Sequence, residues 1–324
     1  MIDDKSYNFE YKGTIIPLKD VGIDSENTII NEFNSLISEL NLKYSFANLF
    51  RLSEDEWKKY PISFHYKDST LTLENFVKEN LEISKELKLL DSINGLEKTH
   101  QFNMMENFPN TSCDKETVAV CTETFRLFQD VYNTFALAKF SFLEGFRKLH
   151  LYSTLKWESG AYGQYWIRTS YLNNAIIWYN SCFDILLQTL WIAKKYYINK
   201  RIKRTELRFE DLWLRYDEVL ARCKETDIPE SCISTFVNKD SVKYVRQSAN
   251  KLKHRNSLRY KEFCDSNLIM FNLGDYNSKT TESSTNIEEV IAELTSYHKA
   301  FVTLVDEVKD IVSIEFKNNY NITI

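Results

Sequence analysis

The segment KDSVKYVRQSANKLKHRNSLRY, residues 239–260, combines residue types that could perform chemistry. Its apolar residues recur at intervals of three and four from Val242 to Leu252, which predicts a helix with one buried stripe. Arg246, Asn250 and His254 follow one another at intervals of four residues. Because a helix turns by about 100° per residue, these three side chains form a row along the flank of that stripe. The helix therefore presents a guanidinium, an amide and an imidazole on one polar edge.

This row suits the chemistry of phosphodiesters. An arginine can bind a phosphate through two parallel hydrogen bonds. A histidine near neutral pH can move a proton to or from a ribose hydroxyl or a leaving oxygen. His254 lies near the predicted C-terminal end of this helix, where the helix dipole favours imidazolium. The basic residues expected to bind nucleic-acid phosphates beside the row are Lys251, Lys253, Arg255 and Arg259.

The charge of the chain is distributed unevenly. The net charge is −5, yet residues 194–261 hold 18 basic and 9 acidic residues, and the rest of the chain holds 23 basic and 37 acidic ones. A basic segment on an acidic protein indicates a localised anionic partner, such as a nucleic acid or a nucleotide. Solvated helix faces would give the same excess, so this alternative stays open.

Few turn-forming residues interrupt the chain. Only 11 of 324 residues are Gly or Pro, which predicts long helices and an all-α fold. A small hairpin around Gly13, ended by Pro17, is expected at the N-terminus. Helices are predicted at residues 26–41, 72–90, beyond 114 for more than 35 residues, 166–200, 209–223, 239–256 and 287–316, with connecting loops at 92–114 and 257–286.

Two long predicted helices define the organisation of the chain. Aromatic residues from Phe125 to Phe146, continued by Leu149, form a seam that predicts a core or dimer stripe. Gly160 and Gly163 lie in the most flexible-looking stretch between these helices. We therefore predict an N-terminal helical region, residues 1–160, and a C-terminal helical domain, residues 161–324, in which four helices with short connections form a bundle.

Several classes of protein are not expected. The apolar window Asn174–Ala193 has the length of a membrane span, but Asp184 within it would be costly in a bilayer. The start of the chain lacks the pattern of a secretory signal, and six scattered cysteines indicate free thiols in a reducing cytoplasm. No spacing of metal ligands and no nucleophile motif is present, so we expect neither a metal nor a cofactor.

The C-terminal half resembles the HEPN superfamily, the higher eukaryote and prokaryote nucleotide-binding domains. The resemblance covers about residues 165–316 and rests on four predicted helices with Arg, a polar residue and His in RQSANKLKHR on the third. It implies a metal-independent endoribonuclease of a toxin or antiphage system. It also implies a homodimer in which two sets of Arg246 and His254 form one composite site. RNA and an antitoxin or sensor protein would be the partners.

Two alternatives to a nuclease stay open. Seven residues separate Arg246 from His254, where the family pattern has four to six, which favours a catalytically inactive module that dimerises and binds nucleotide, RNA or protein. A third hypothesis, nucleotidyl transfer onto a tyrosine, would involve Tyr260.

Two further residues have both a structural and a functional interpretation. Asp184 must have a partner inside its apolar helix, and it could either hold the helix in place or orient His254. His298 occupies a core position of the last helix, which favours a buried, hydrogen-bonded histidine over a catalytic one.

Overall fold

The computed structural model describes residues 7–43, 60–66, 69–90, 115–150, 160–195, 220–221, 230–254, 258–264 and 284–320. The strands are β1 (Tyr7–Tyr11), β2 (Thr14–Pro17), β3 (Ile62–Tyr66) and β4 (Ser69–Thr72). The helices are α1 (Thr28–Lys43), α2 (Leu73–Glu86), α3 (Lys115–Phe146), α4 (Gly160–Ala193), α5 (Glu230–Asn238), α6 (Asp240–His254), α7 (Lys261–Cys264) and α8 (Ile287–Tyr320). The predominance of helix agrees with the sequence prediction.

The strands correct the all-α prediction. They form one antiparallel sheet in the order β2-β1-β3-β4. The hairpin of β1 and β2 is the predicted one, and its turn has positive φ at both Lys12 and Gly13, as the favoured two-residue hairpin turn requires. The β3–β4 hairpin was not predicted, although the alternation of Ile62, Phe64 and Tyr66 is typical of a half-buried strand.

One face of the sheet is covered by helices. Phe9 of β1 lies 5.0 Å from Phe33 of α1, measured between ring centroids, and Phe64 of β3 lies 5.3 Å from Phe76 of α2. All four rings are buried. The side chains that alternate toward this face therefore supply the core that joins the sheet to α1 and α2.

The chain divides into two compact units. The first contains residues 1–87, 141–173 and 257–291, and the second contains residues 88–140, 174–256 and 292–324. Helices α3, α4 and α8 each contribute residues to both units. These units are a different division of the chain from the regions 1–160 and 161–324, which stay a prediction.

An aromatic cluster forms the core of the second unit. Phe135 of α3 stacks on Phe301 of α8 at 5.5 Å and lies 5.8 Å from Tyr179 of α4. Phe236 of α5 joins them, 5.5 Å from Tyr297. The predicted seam on α3 is thus a core stripe over these residues, because Phe128, Phe135 and Phe142 are buried within the chain.

The predicted helices agree with α1, α2, α6 and α8 to within a few residues, whereas α3 has 32 residues and α4 runs from Gly160 to Ala193. Gly160 and Gly163, which were expected in a flexible stretch, therefore lie in the first turn of α4. The predicted loop 257–286 contains the short helix α7. The predicted loop 92–114, and the predicted helix 209–223 apart from residues 220–221, lie outside the described part of the chain. Within the described ranges, no helix combines the length and apolarity needed to cross a membrane. Cys121, Cys182 and Cys232 are buried free thiols, as predicted.

Candidate nucleic-acid interface

Helix α6 has the predicted orientation. Val242, Val245 and Ala249 are at most 4% exposed, whereas Asn250 and His254 are exposed. The helix begins two residues after α5 ends, and the amide of Val242 donates to the carbonyl of Lys239 at this junction. The buried stripe thus fixes the rotation of α6 and leaves its polar flank in solvent.

Arg246 lies at the boundary between this flank and the core. Its side chain is 28% exposed, and its Nη1 donates to Oδ1 of Asp184 at 2.9 Å and to Oδ1 of Asn180 at 3.1 Å. Asn180 in turn donates from Nδ2 to Oδ2 of Asp184 at 3.1 Å. Asn180 and Asp184 are one turn apart on α4, so together they form a polar notch that receives the guanidinium.

Burial dominates the electrostatics of Asp184. Its side chain is 36% exposed, and burial raises the pKa of the carboxyl above its usual value, against the lowering effects of Arg246 and Lys253. The acceptors of Asp184 are shared between Arg246 and Asn180, and among the described contacts none joins Asp184 to His254. Asp184 therefore has the partner that its burial required, and this partner is Arg246.

The structure separates the two ends of the predicted catalytic row. Arg246 and His254 are eight residues apart on one α-helix, which corresponds to a rise of about 12 Å. Arg246 is held against α4, whereas His254 lies in the last turn of α6 and is exposed. One copy of α6 thus presents an anchored cation and an exposed imidazole two turns apart.

The predicted basic contacts are described only in part. Lys251 and Lys253 are exposed in the last turn of α6. Arg255 lies outside the described residues. Arg259 is exposed and belongs to the other compact unit. The exposed flank that carries Asn250, Lys251, Lys253 and His254 is called the α6 basic flank below.

Tyr260 is poorly placed for modification. The residue is 2% exposed, and its hydroxyl donates to Oδ1 of Asn173 at 2.9 Å. Its backbone pairs with Thr285 in an isolated parallel bridge. Nucleotidyl transfer onto this hydroxyl would require the segment to open, so the structure disfavours the tyrosine hypothesis.

His298 is the buried, hydrogen-bonded histidine that its core position predicts. Its Nδ1 lies 2.7 Å from the hydroxyl of Tyr179, and its Nε2 lies 2.8 Å from the carbonyl oxygen of Lys88. The residue is 1% exposed. Both ring nitrogens are therefore used in the core.

Sequence reasoning missed the role of Asn180. The residue is 3% exposed, and its position one turn before Asp184 is the signal that could have identified the pair. A group of three or more His, Cys, Asp or Glu residues suited to a metal ion does not occur among the described residues.

The comparisons with known proteins add no relative. No family model, no curated protein and no solved structure matches the chain.

Proposed function

We propose that the protein is a metal-independent endoribonuclease of the HEPN type that acts as a homodimer, in a toxin or antiphage context. The observation that carries the proposal is the α6 basic flank, which presents Asn250 and His254 to solvent beside the anchored Arg246. Positive charge on an exposed flank is the feature that an RNA backbone recognises. In the basic stretch 251–261, six of eleven residues are Lys, Arg or His and none is acidic.

The residue types suggest a division of labour. Arg246 would bind the scissile phosphate, Asn250 would orient it, and His254 would move a proton. The ribose 2′-hydroxyl attacks phosphorus and loses its proton, and the departing 5′-oxygen gains one, which leaves a cyclic phosphate. Because about 12 Å separates the two ends of the row, a composite site would pair Arg246 of one protomer with His254 of the other.

Incubation of the purified protein with total RNA and with tRNA in EDTA tests this proposal. The wild type should cleave RNA and leave cyclic-phosphate or 3′-phosphate ends, and His254→Ala should not. His65→Ala, which removes a half-exposed histidine of the sheet, is the matched control and should cleave like the wild type. Cleavage that persists undiminished in His254→Ala would refute the assignment.

A second candidate is a non-catalytic module that dimerises or binds RNA without cutting it. The specific observation in its favour is that Asp184 and Asn180 already occupy Nη1 of Arg246. Expression in bacteria distinguishes the two functions. A nuclease should slow growth as the intact chain and not as Arg246→Ala, whereas a binding module should be harmless in both forms.

A further inference from the structure

Asp184 lies close to two cations of α6. Its carboxylate contacts Arg246 directly at 2.9 Å, and the charge of Lys253 is close enough to lower its pKa. Arg246 and Lys253 are seven residues apart, which places them on the same face of α6, two turns from each other. An acidic residue of α4 thus faces the positive charges that α6 would offer to an RNA backbone.

A carboxylate and a phosphate oxygen compete for the same guanidinium donors. Both are anions that accept charge-assisted hydrogen bonds from arginine. Nη1 of Arg246 is engaged by Asp184 and Asn180, so a phosphate that approaches this nitrogen must displace an internal acceptor.

The ion pair is built in a way that permits this exchange. Both side chains retain partial exposure, 28% for Arg246 and 36% for Asp184, so a ligand can reach the pair from solvent. Burial opposes the charged form of Asp184 more strongly than its neighbours favour it. An ion pair that is partly open to solvent is screened by water and is weak, so a phosphate can replace the carboxylate.

We propose that Asp184 is an internal anion that occupies Nη1 of Arg246 in the free protein, so that RNA must displace it to bind this nitrogen and RNA affinity is held down. This inference rests on the proposed function, because it takes RNA as the ligand of the α6 basic flank. It assigns to Asp184 an affinity-limiting role in place of the orientation of His254.

Binding of a short fluorescein-labelled 2′-O-methyl oligouridine, followed by anisotropy in EDTA at low ionic strength, tests the proposal. The 2′-O-methyl groups prevent attack by the ribose hydroxyl, so binding is measured without cleavage. Asp184→Asn retains the shape of the side chain and removes its charge. We expect this variant to bind about fivefold more tightly, because Arg246 no longer has to leave a partly exposed ion pair before it binds the phosphate.

The gain must depend on Arg246. In the Arg246→Ala background, Asp184→Asn should change the affinity by less than about twofold, because the competed guanidinium is absent. Asp130→Asn is the matched control, since Asp130 pairs with Arg126 on α3 at 2.6 Å and its replacement changes the net charge equally. This control should bind like the wild type.

Three results would overturn the proposal. These are an unchanged or weaker affinity in Asp184→Asn, an equal gain in Asp130→Asn, and an equal gain without Arg246. The fold of each variant is checked by its thermal midpoint, and Asp184→Ala provides a second neutral replacement that should also gain affinity. Because the readout is binding, an RNA that is never cleaved refutes the proposed nuclease while leaving this inference to be decided by the affinities.

Discussion

The hydroxyl of Tyr179 lies 2.7 Å from Nδ1 of His298, and the carbonyl oxygen of Lys88 lies 2.8 Å from Nε2 of the same ring. A carbonyl only accepts, so Nε2 carries the proton and Tyr179 donates to Nδ1. This arrangement holds a neutral imidazole that joins α4 and α8 to Lys88, which lies two residues after the end of α2. Burial lowers the pKa of His298 to about 4, against the raising effect of the Lys88 carbonyl.

His298 should make the free energy of unfolding depend on pH. Its folded pKa lies below the unfolded value of about 6.5, so its contribution is fully present above pH 6.5 and is lost as the pH falls toward 4. From pH 7.5 to pH 5 the loss should be about 2 kcal/mol. Urea unfolding of the wild type and His298→Gln at both pH values measures it.

The difference between these two proteins isolates His298. His150, whose pKa burial lowers to about 3, and Glu144, whose pKa burial raises to about 7, are present in both. Their contributions to the pH dependence therefore cancel when the two proteins are subtracted. Identical pH profiles of unfolding for the wild type and His298→Gln would contradict the assignment.

Arg168 should be essential to the stability of the first unit. The residue is fully buried, and it donates to the Tyr66 hydroxyl at 2.7 Å and to the carbonyls of Gly145 and Phe146. Arg168→Met removes the donor from two buried carbonyls and from the Tyr66 hydroxyl, which keeps its contact with Glu288 at 3.4 Å, and should cost about 3 kcal/mol or more. Tyr66→Phe removes one partner and should cost about 1 to 2 kcal/mol.

Urea unfolding at neutral pH measures both costs. Arg126→Met is the control, because Arg126 is 51% exposed and its ion pairs lie at the surface of α3. We expect a change of about 0.5 kcal/mol or less for this variant. Equal losses of unfolding free energy in Arg168→Met and Arg126→Met would show that the buried hydrogen bonds of Arg168 contribute no more than an exposed ion pair.

Gly145 should not tolerate a larger residue. A Cβ at this position would lie 2.6 Å from Cγ of Leu172 and 3.1 Å from the carbonyl oxygen of Arg168. Gly145→Ala should therefore destabilise the protein by about 1 to 3 kcal/mol, although alanine is the better helix former. Thermal unfolding measures the loss. In the Leu172→Ala background the additional cost of Gly145→Ala should be smaller, because the shorter side chain leaves room for the Cβ. A stabilised Gly145→Ala variant would mean that α3 and α4 separate more easily here than the structure indicates.

Lys251 should contribute to RNA affinity through charge alone. The residue is exposed on the α6 basic flank, where it can pair with a phosphate. Lys251→Gln should weaken oligouridine binding and reduce the slope of log affinity against log salt concentration by about 0.7, the value for one phosphate contact on a single strand. Lys78→Gln on α2, which removes an exposed lysine paired with Glu74, should leave the slope unchanged. Equal slopes for the wild type and Lys251→Gln would exclude Lys251 from the interface.

The helical elements could be predicted because their signals are local. The spacing of Val242, Val245 and Ala249 is enough to place α6 and to rotate Arg246 and Asn250 to its edge. The sheet was harder to predict. Strands β1 and β3 are separated in sequence by all of α1, and their pairing of Tyr7 with Tyr66 depends on contacts that no local pattern encodes.

The sequence alone predicts that Asp184 and His298 need partners, because a polar group in an apolar helix must be satisfied. It also determined the exposure of Asn250 and His254, which follows from helical periodicity. The identity of these partners, Arg246 for Asp184 and both Tyr179 and Lys88 for His298, is seen only in the folded chain. The choice of partner depends on how α4, α6 and α8 pack, and packing is set by many weak contacts distant in sequence.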